Sequence, residues 1–313
     1  MTEQMRALRA ERRGGPEQLT IDTIAVPSPG PGETLIEVHA AAITFAELTW
    51  DETWMHTPAI PGHEFSGVVA DVADDVTDVS VGDEVFGLIR FELQGAAADY
   101  VVVPAADLAR KPTRLSHAET AVLPLAALTA WQALFDVAHV SAGDRVLVHG
   151  GAGGVGIFAV QLARLAGATV TTTVRGDGVA LASTLGADHI IDTDTADFTA
   201  DFAAAGRRFD VVIDTIGGDT LHRSFDVIVE GGRLVTLQEP PDQARASSLG
   251  ITATFFIVAP DVTELNYLAG LADRAELTVV LAATFPLGEG RAAFESGRGT
   301  HRPPGKTVLL VRP

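Results

Sequence analysis

The segment His149-Gly150-Gly151-Ala152-Gly153-Gly154-Val155-Gly156 is where this sequence most plainly carries chemistry. Gly151, Gly153 and Gly156 have the spacing G-x-G-x-x-G. The apolar run Arg145-Val146-Leu147-Val148 precedes them. After them Val155, Phe158, Ala159, Leu162 and Ala166 fall on one face of a helix. A strand, a glycine turn and a helix in that order suit the pyrophosphate of a dinucleotide. Glycine supplies the positive φ of a tight turn. A missing Cβ lets a phosphate approach the backbone, and the helix start offers free N–H groups and the positive end of its dipole. Gly151, Ala152, Gly153, Gly154, Val155 and Gly156 are therefore the expected cofactor cradle. An NAD site wants an acid about 20 residues on, where the second strand ends. Here Arg175 stands nineteen residues past Gly156, and Asp177 comes two later. A guanidinium suits the 2′-phosphate of NADP, so NADP(H) is the expected cofactor. The plainer alternative is a solvent-exposed turn arginine.

Other polar residues have quieter readings. His63 at the start of an apolar run is expected to be a hydrogen-bonded structural histidine. His117 and Glu119 stand at a helix start, where capping is the simplest role. Ser66 is in no G-x-S-x-G elbow. Trp50, Trp54 and His56 share a loop and either line a substrate mouth or cover the core.

These residues need elements to hold them, and the chain has the material. It has 313 residues, 47% hydrophobic and 20% charged, which suits a soluble globular protein of two domains or one large one. Asp and Glu number 41 against 22 Lys and Arg, a net charge of −19 that disfavours nucleic acid and anionic membranes. There is no cysteine, so disulfides, thiolate metal sites and a cysteine nucleophile are excluded. The charged N-terminus has no apolar core of a secretory signal, and the apolar runs fall short of the ~18 residues of a membrane span. A cytoplasmic protein is expected. Short runs at 34–39, 67–72, 83–88 and 100–104, punctuated by Gly and Pro, read as a β-rich barrel or sandwich. Residues 117–137 read as helix. From Arg145 onward strands at 169–174, 189–191, 209–214, 233–237 and 251–258 alternate with helices, the pattern of a doubly wound parallel sheet. The last stretch, 277–313, returns to short strands.

Further segments carry a family resemblance: Pro61-Gly62-His63-Glu64-Phe65-Ser66-Gly67, Val81-Gly82-Asp83, Ala127-Leu128-Thr129-Ala130-Trp131-Gln132-Ala133-Leu134, Leu185-Gly186-Ala187-Asp188, Asp210-Val211-Val212-Ile213-Asp214, Gly231-Gly232-Arg233-Leu234-Val235 and Gly305-Lys306-Thr307-Val308-Leu309. With the glycine loop they span nearly the whole chain, which resembles the medium-chain dehydrogenase/reductase superfamily in its zinc-independent quinone oxidoreductase branch. The resemblance implies an α/β fold: a Rossmann doubly wound parallel sheet, residues 126–258, inserted into a GroES-like β-rich catalytic domain, residues 1–125 and 259–313. It implies a cofactor in the cleft between the domains. Thr215 and Ile216 match contacts to the nicotinamide ribose, Phe256-Ile257-Val258 the segment that holds the carboxamide, and Lys306 a basic position near the pyrophosphate. A homodimer paired through the last Rossmann strand is implied too. Some positions depart from the pattern. A lysine that often helps bind the adenosine phosphate is replaced by Gly178, and a Tyr-Arg pair by Thr193 and Asp194. That leaves Arg175 as the main phosphate anchor.

In the zinc-dependent alcohol dehydrogenases the His63 motif supplies a ligand. Their first and third ligand positions map to Thr44 and Leu125, neither a good ligand, so no metal is expected. Only Glu47, His63 and Glu64 remain to improvise a site. Without a Lewis acid, a conjugated acceptor, a quinone or an enone, is the expected substrate, because its charge delocalises onto a distal oxygen. Thr44 and Thr129 are the candidate hydrogen-bond donors to that oxygen. Related enoyl reductases use a tyrosine proton donor; the two tyrosines, Tyr100 and Tyr267, match no such loop. The expected activity is an NADPH-dependent quinone or enone reductase. An enoyl or alkenal reductase and a non-catalytic NADPH-binding sensor are the alternatives.

Overall fold

The computed structural model describes residues 3–200, 208–299 and 302–312. The chain forms two compact units, Met1–Leu128 with Ala259–Pro313, and Thr129–Val258. The first boundary thus falls three residues later than expected, inside a helix (128 against 125).

The first unit opens with β1 (Gln4–Ala10) and β2 (Leu19–Ala25), then β3 (Glu33–Ile43), β4 (Glu64–Val72), β5 (Glu84–Leu88), β6 (Tyr100–Pro104) and β7 (Ala109–Arg110). The second unit supplies β8 (Arg145–His149), β9 (Thr169–Val174), β10 (His189–Asp192), β11 (Phe209–Asp214), β12 (Ile228–Thr236) and β13 (Thr252–Phe255). The chain returns to the first unit with β14 (Leu281–Pro286) and β15 (Lys306–Leu310).

In the first unit β3 is the organising strand. It pairs antiparallel with β4, with β15 at one end and with β6 at the other. The ladder slips between Val38 and Ala40, and such bulges bend a sheet towards closure. Phe65, Ile36, Val38, Val103 and Leu309 fill the core behind it. The β1–β2 hairpin was not legible in the charged N-terminus. Met5, Ala7, Leu8 and Ala10 are buried, and the Arg6 guanidinium pairs with Asp99 at 2.7 Å. Arg6 and Arg9, which give this segment its charge, thus lie within a strand, paired with Asp99 and Asp22.

The second unit is one parallel sheet in the order β10-β9-β8-β11-β12-β13. Its direction of winding reverses between β8 and β11, and ligands bind beyond the carboxyl ends of the strands at such a point. The helix Gly154–Leu165 follows β8; Gly156 through Ala163 are all buried, a broader contact than the single face read from the sequence. β12 begins five residues earlier than expected. It runs through Gly231-Gly232, which reads as a turn, because its ladder with β11 skips residues there. The 117–137 helix is three consecutive pieces, α1 (His117–Thr120), α2 (Leu123–Trp131) and a wider π turn over Gln132–Val137. As one run it is long and apolar enough to cross a membrane by length and composition, contrary to the reading of the apolar runs. Its most apolar window is 72% buried inside the protein, as in a core helix.

β15 enters the first unit's sheet through Gly305, whose φ is +102°. A Cβ there would stand 2.4 Å from the Val280 carbonyl oxygen. Gly305→Ala is expected to destabilise the protein by about 1–3 kcal/mol, read as a lower midpoint in thermal unfolding, while Gly82→Ala, which meets nothing within 4 Å, costs less.

Candidate functional site

The glycine loop hangs from the carboxyl end of β8. Gly150 has φ +77°, and its amide and that of Gly151 both donate to the Thr173 carbonyl on β9 at 3.0 Å. The chain then folds so tightly that a Cβ on Gly156 would lie 2.0 Å from the Gly150 carbonyl oxygen. A Cβ on Gly151 would lie 1.9 Å from Thr172 Oγ1. Gly153 has more room, and as N-cap of α3 (Gly154–Leu165) it carries no side-chain cap. The first-turn amides of that helix therefore remain open to an anion. These residues fit a dinucleotide pyrophosphate: the crowded glycines lock the loop and the uncrowded one faces outward.

Across the switch point, β11 ends in Asp214, fully buried. Its carboxylate accepts from the amides of Ile216 (3.1 Å) and Gly217 (3.0 Å). Burial raises its pKa, against the pull of those amides and of Thr236. Thr215 donates to the His149 carbonyl at 2.7 Å, and Ile216 is exposed. The two expected ribose contacts thus sit beside the glycine loop, held by a carboxylate the sequence reading left without a role. Phe256 anchors its segment by donating its amide to the Thr236 carbonyl (3.1 Å), and Ile257 is 61% exposed while Val258 is buried.

His149 joins these pieces and was missed as a functional residue. It is fully buried, and burial, reinforced by the charge of Arg223, holds its imidazole down to about 3. It is therefore neutral, with one donor and one acceptor nitrogen. Ser224 gives its own proton to the Thr220 carbonyl at 2.7 Å, so it accepts from His149 Nε2 at 3.0 Å. His149 Nδ1 then accepts from Thr173 Oγ1 at 3.1 Å, which in turn accepts from the Gly150 amide. One hydrogen-bond chain ties loop, β9 and the following helix α5 (Gly218–Ser224, with α4 at Gly178–Thr184).

Arg175 follows β9 directly and is exposed. Among the described residues its guanidinium has no carboxylate or hydrogen-bond partner. Around its turn stand Asp192, which accepts from the amides of Gly176 and Asp194, and Asp194 itself.

The first unit holds a second constellation. His63, Glu64, Glu47 and Lys306 are each at most 7% exposed. The His63 Nε2–H donates to the Leu93 carbonyl at 3.1 Å, and Nδ1 is paired with Glu47 Oε1. Burial opposes the imidazolium, but Glu47 outweighs it and the His63 pKa is raised. Glu47 Oε1 also accepts from the Gly62 amide at 2.7 Å. Glu64 Oε1 is paired with the Lys306 ammonium, and Oε2 accepts from the Leu125 amide at 3.1 Å. Burial raises the Glu64 pKa against the pull of Lys306. Lys306 Nζ also donates to Thr44 Oγ1 at 3.4 Å. The resemblance matched Lys306 to a position near the pyrophosphate; in the structure its ammonium is engaged by Glu64 and Thr44. Thr129, the other expected donor, is buried in α2 and already has a partner.

A catalytic zinc needs three ligands with free lone pairs and an open position. Both His63 nitrogens are committed, each Glu64 oxygen is taken, and an ammonium stands against Thr44. Of these groups Glu47 Oε2 alone is buried without a partner, and one free oxygen falls short of the three ligands required, so this donor set does not fit the ion. Among the described residues no group of three His, Asp or Glu is arranged to hold a metal.

The remaining candidates have structural roles. Ser116 and Glu119 form a reciprocal capping box at α1. His117 stacks on His39 at 4.3 Å and bonds Ser66 Oγ at 2.8 Å. Burial first, then His39 and Lys111, lowers its pKa to about 4. Ser66 is fully buried and unreachable as a nucleophile. Trp50 and His63 each meet Phe91 edge-on, at 5.3 and 5.6 Å, Trp54 donates to the Leu48 carbonyl, and His56 points to solvent.

Comparison with known proteins agrees with this architecture. Residues 30–113 match the alcohol dehydrogenase GroES-like domain, and residues 185–309 match the zinc-binding dehydrogenase family. A probable zinc-binding oxidoreductase, mitochondrial, of Arthroderma benhamiae is 32% identical over 94% of this chain and 93% of its own. A mitochondrial NAD(P)H oxidoreductase of Mus musculus is 31% identical over 90% of this chain and 82% of its own. The structure of the quinone oxidoreductase from Coxiella burnetii superposes with a TM-score of 0.91 at 32% identity, covering 99% of this chain and all of that one.

Two outcomes follow from the loop. Gly156→Ala must push the Gly150 carbonyl away, and dinucleotide affinity measured by fluorescence titration is expected to fall about 10-fold or more, ~1.4 kcal/mol. The folded value of about 3 for His149 lies below the ~6.5 of an unfolded histidine. Between those values the unfolded chain binds a proton that the native state refuses, so stability is lost as pH falls. His149→Gln is expected to lower stability at pH 7 yet flatten its decline between about pH 6.5 and 4 in denaturant titrations.

Proposed function

The chain belongs to the medium-chain dehydrogenase/reductase superfamily, in its quinone oxidoreductase-like branch, and on that premise we propose an NADPH-dependent, zinc-independent reductase of quinones or conjugated enones. It is an oxidoreductase with a nicotinamide cofactor and a small-molecule substrate. We further propose a homodimer in the cytoplasm.

The observation that carries the reading is the ammonium of Lys306 against Glu64 and Thr44, where the zinc-dependent enzymes of the resemblance hold a metal. An acceptor that needs a Lewis acid is poorly served by such a site. A conjugated one takes hydride at carbon and spreads the charge to oxygen. Bound NADPH supplies the hydride. The glycine loop and the amides of α3 bind its pyrophosphate, the Asp214-held loop orients its ribose through Thr215 and Ile216, and the unpartnered Arg175 engages its 2′-phosphate. Thr44 donates a hydrogen bond to the developing oxyanion, in preference to the already engaged Thr129. Water supplies the proton that completes the two-electron reduction.

Cofactor titration followed by turnover tests this. The wild type is expected to bind NADPH more tightly than NADH and to oxidise it with 1,4-benzoquinone. Arg175→Ala is expected to raise the KM for NADPH about 10- to 100-fold, the worth of a charge-assisted hydrogen bond, and to leave that for NADH unchanged. Preference for NADH contradicts the phosphate role of Arg175. Turnover of α,β-unsaturated carbonyls alone moves the assignment to an alkenal or enoyl reductase, and tight binding without turnover on either class moves it to a sensor.

A further inference from the structure

The buried pair of Lys306 and Glu64 lies outside every role assigned so far to a reacting group. The side chains come from three neighbouring strands. Thr307 pairs with Ile43, which sets Lys306 of β15 opposite Thr44 at the end of β3, and Ala42 pairs with Glu64 of β4. Resting on the reading that the Thr44 hydroxyl meets the acceptor's oxygen, we propose that Lys306 is the residue that positions and polarises that hydroxyl, with Glu64 as its anchor.

Hydrogen-bond accounting fixes the direction. An ammonium has only protons to give, so Thr44 Oγ1 must accept from Lys306 Nζ. The hydroxyl's own proton must then go elsewhere. Among the described residues nothing accepts it, and Thr44 is partly exposed. A hydroxyl that accepts from a cation is a stronger donor than one that does not, and more so where water is scarce. The ammonium itself cannot swing away. Glu64 holds it, and Glu64 is in turn fixed by the Leu125 amide. The backbone beneath is equally fixed, since the Lys306 amide donates to the Val280 carbonyl and Gly305 leaves room for no side chain. The Lys306–Glu64 pair is neutral as a whole in the resting protein. When negative charge develops on the acceptor's oxygen, the ammonium is one hydroxyl away and compensates it without any rearrangement. Lysine suits this place because it is a compact point charge on a single hydroxyl, whereas the planar fork of arginine suits two acceptors.

This role differs from a contact to the cofactor's pyrophosphate in what it changes. A polarising residue acts on kcat, and a pyrophosphate contact acts on the KM for NADPH. Steady-state kinetics with NADPH and 1,4-benzoquinone therefore decide, on wild type, Thr44→Val, Thr44→Ser, Lys306→Met, Lys306→Arg and Thr44→Val/Lys306→Met. Thr44→Val is expected to lower kcat about 100-fold, and Lys306→Met about 10-fold or more, with the KM for NADPH held within about two-fold. Thr44→Ser and Lys306→Arg are expected to recover most and part of the loss. The double variant is expected to be no slower than Thr44→Val, because Lys306 acts only through Thr44. Lys306→Met leaves Glu64 buried without its partner; if it unfolds in a thermal melt, Glu64→Gln/Lys306→Met takes its place with the same expectation. A Lys306→Met variant whose kcat holds while its KM for NADPH rises overturns the proposal. So does a double variant whose losses multiply. Wild-type protein that binds NADPH and oxidises it with neither quinone nor enone defeats instead the reductase reading on which the proposal rests.

Discussion

A carbonyl oxygen occupying the space of a missing side chain is the constraint on which the cofactor half of this protein depends. The Gly150 oxygen lies 2.0 Å from where a Cβ on Gly156 would be. Only glycine permits the loop to turn back onto the first turn of its own helix. That closeness sets the helix dipole and its uncapped amides beyond the carboxyl ends of β8 and β11. The surroundings hold the loop from both sides. His149 ties it to β9 and α5 through a neutral imidazole, and Asp214 fixes the neighbouring turn through two backbone amides. Burial keeps the imidazole neutral, so the hydrogen-bond chain has one direction and the loop one resting position.

The first unit solves a different electrostatic problem. Four ionisable side chains are withdrawn from water, a costly arrangement unless each finds a partner. They resolve into two pairs, His63 with Glu47 and Glu64 with Lys306, each neutral overall and each steadied by backbone groups. The pairs also define the chemistry on offer. A site whose imidazole nitrogens are engaged by Glu47 and the Leu93 carbonyl, and whose Glu64 is held by Lys306, keeps only Glu47 Oε2 unpaired and has little to give a metal. It does have a polarised hydroxyl at Thr44.

Much of this was legible in the residues. The glycine spacing, the strand before it and the helix after it specify the cradle, and β9 and β11 lie where the apolar runs put them. The hairpin of β1 and β2 was hidden because Arg6 and Arg9 interrupt the apolar residues of β1, two of which, Ala7 and Ala10, are small. β12 was read short because Gly231-Gly232 looks like a turn when the partner strand that bridges it is unknown. His149 was passed over because a histidine beside a glycine loop has no meaning until Thr173 and Ser224, far away in sequence, are brought to its two nitrogens. Lys306 carries the same lesson. The family resemblance matched it to a position near the pyrophosphate, and only the pairing of β15 with β3 shows that Glu64 and Thr44 are its partners in the folded chain. Local pattern specifies elements. Which charges meet is decided by sheet register, which a single sequence does not print.

The central claim is that this fold reduces a conjugated acceptor with NADPH and without a metal. Its most direct test is NADPH oxidation by 1,4-benzoquinone with protein dialysed exhaustively against a chelator, before and after zinc is restored. Quinone-dependent oxidation that is undiminished by chelation and unchanged by zinc is the predicted result. Activity that disappears with the chelator and returns with zinc contradicts the account, because it requires a metal where the side chains are already paired with one another.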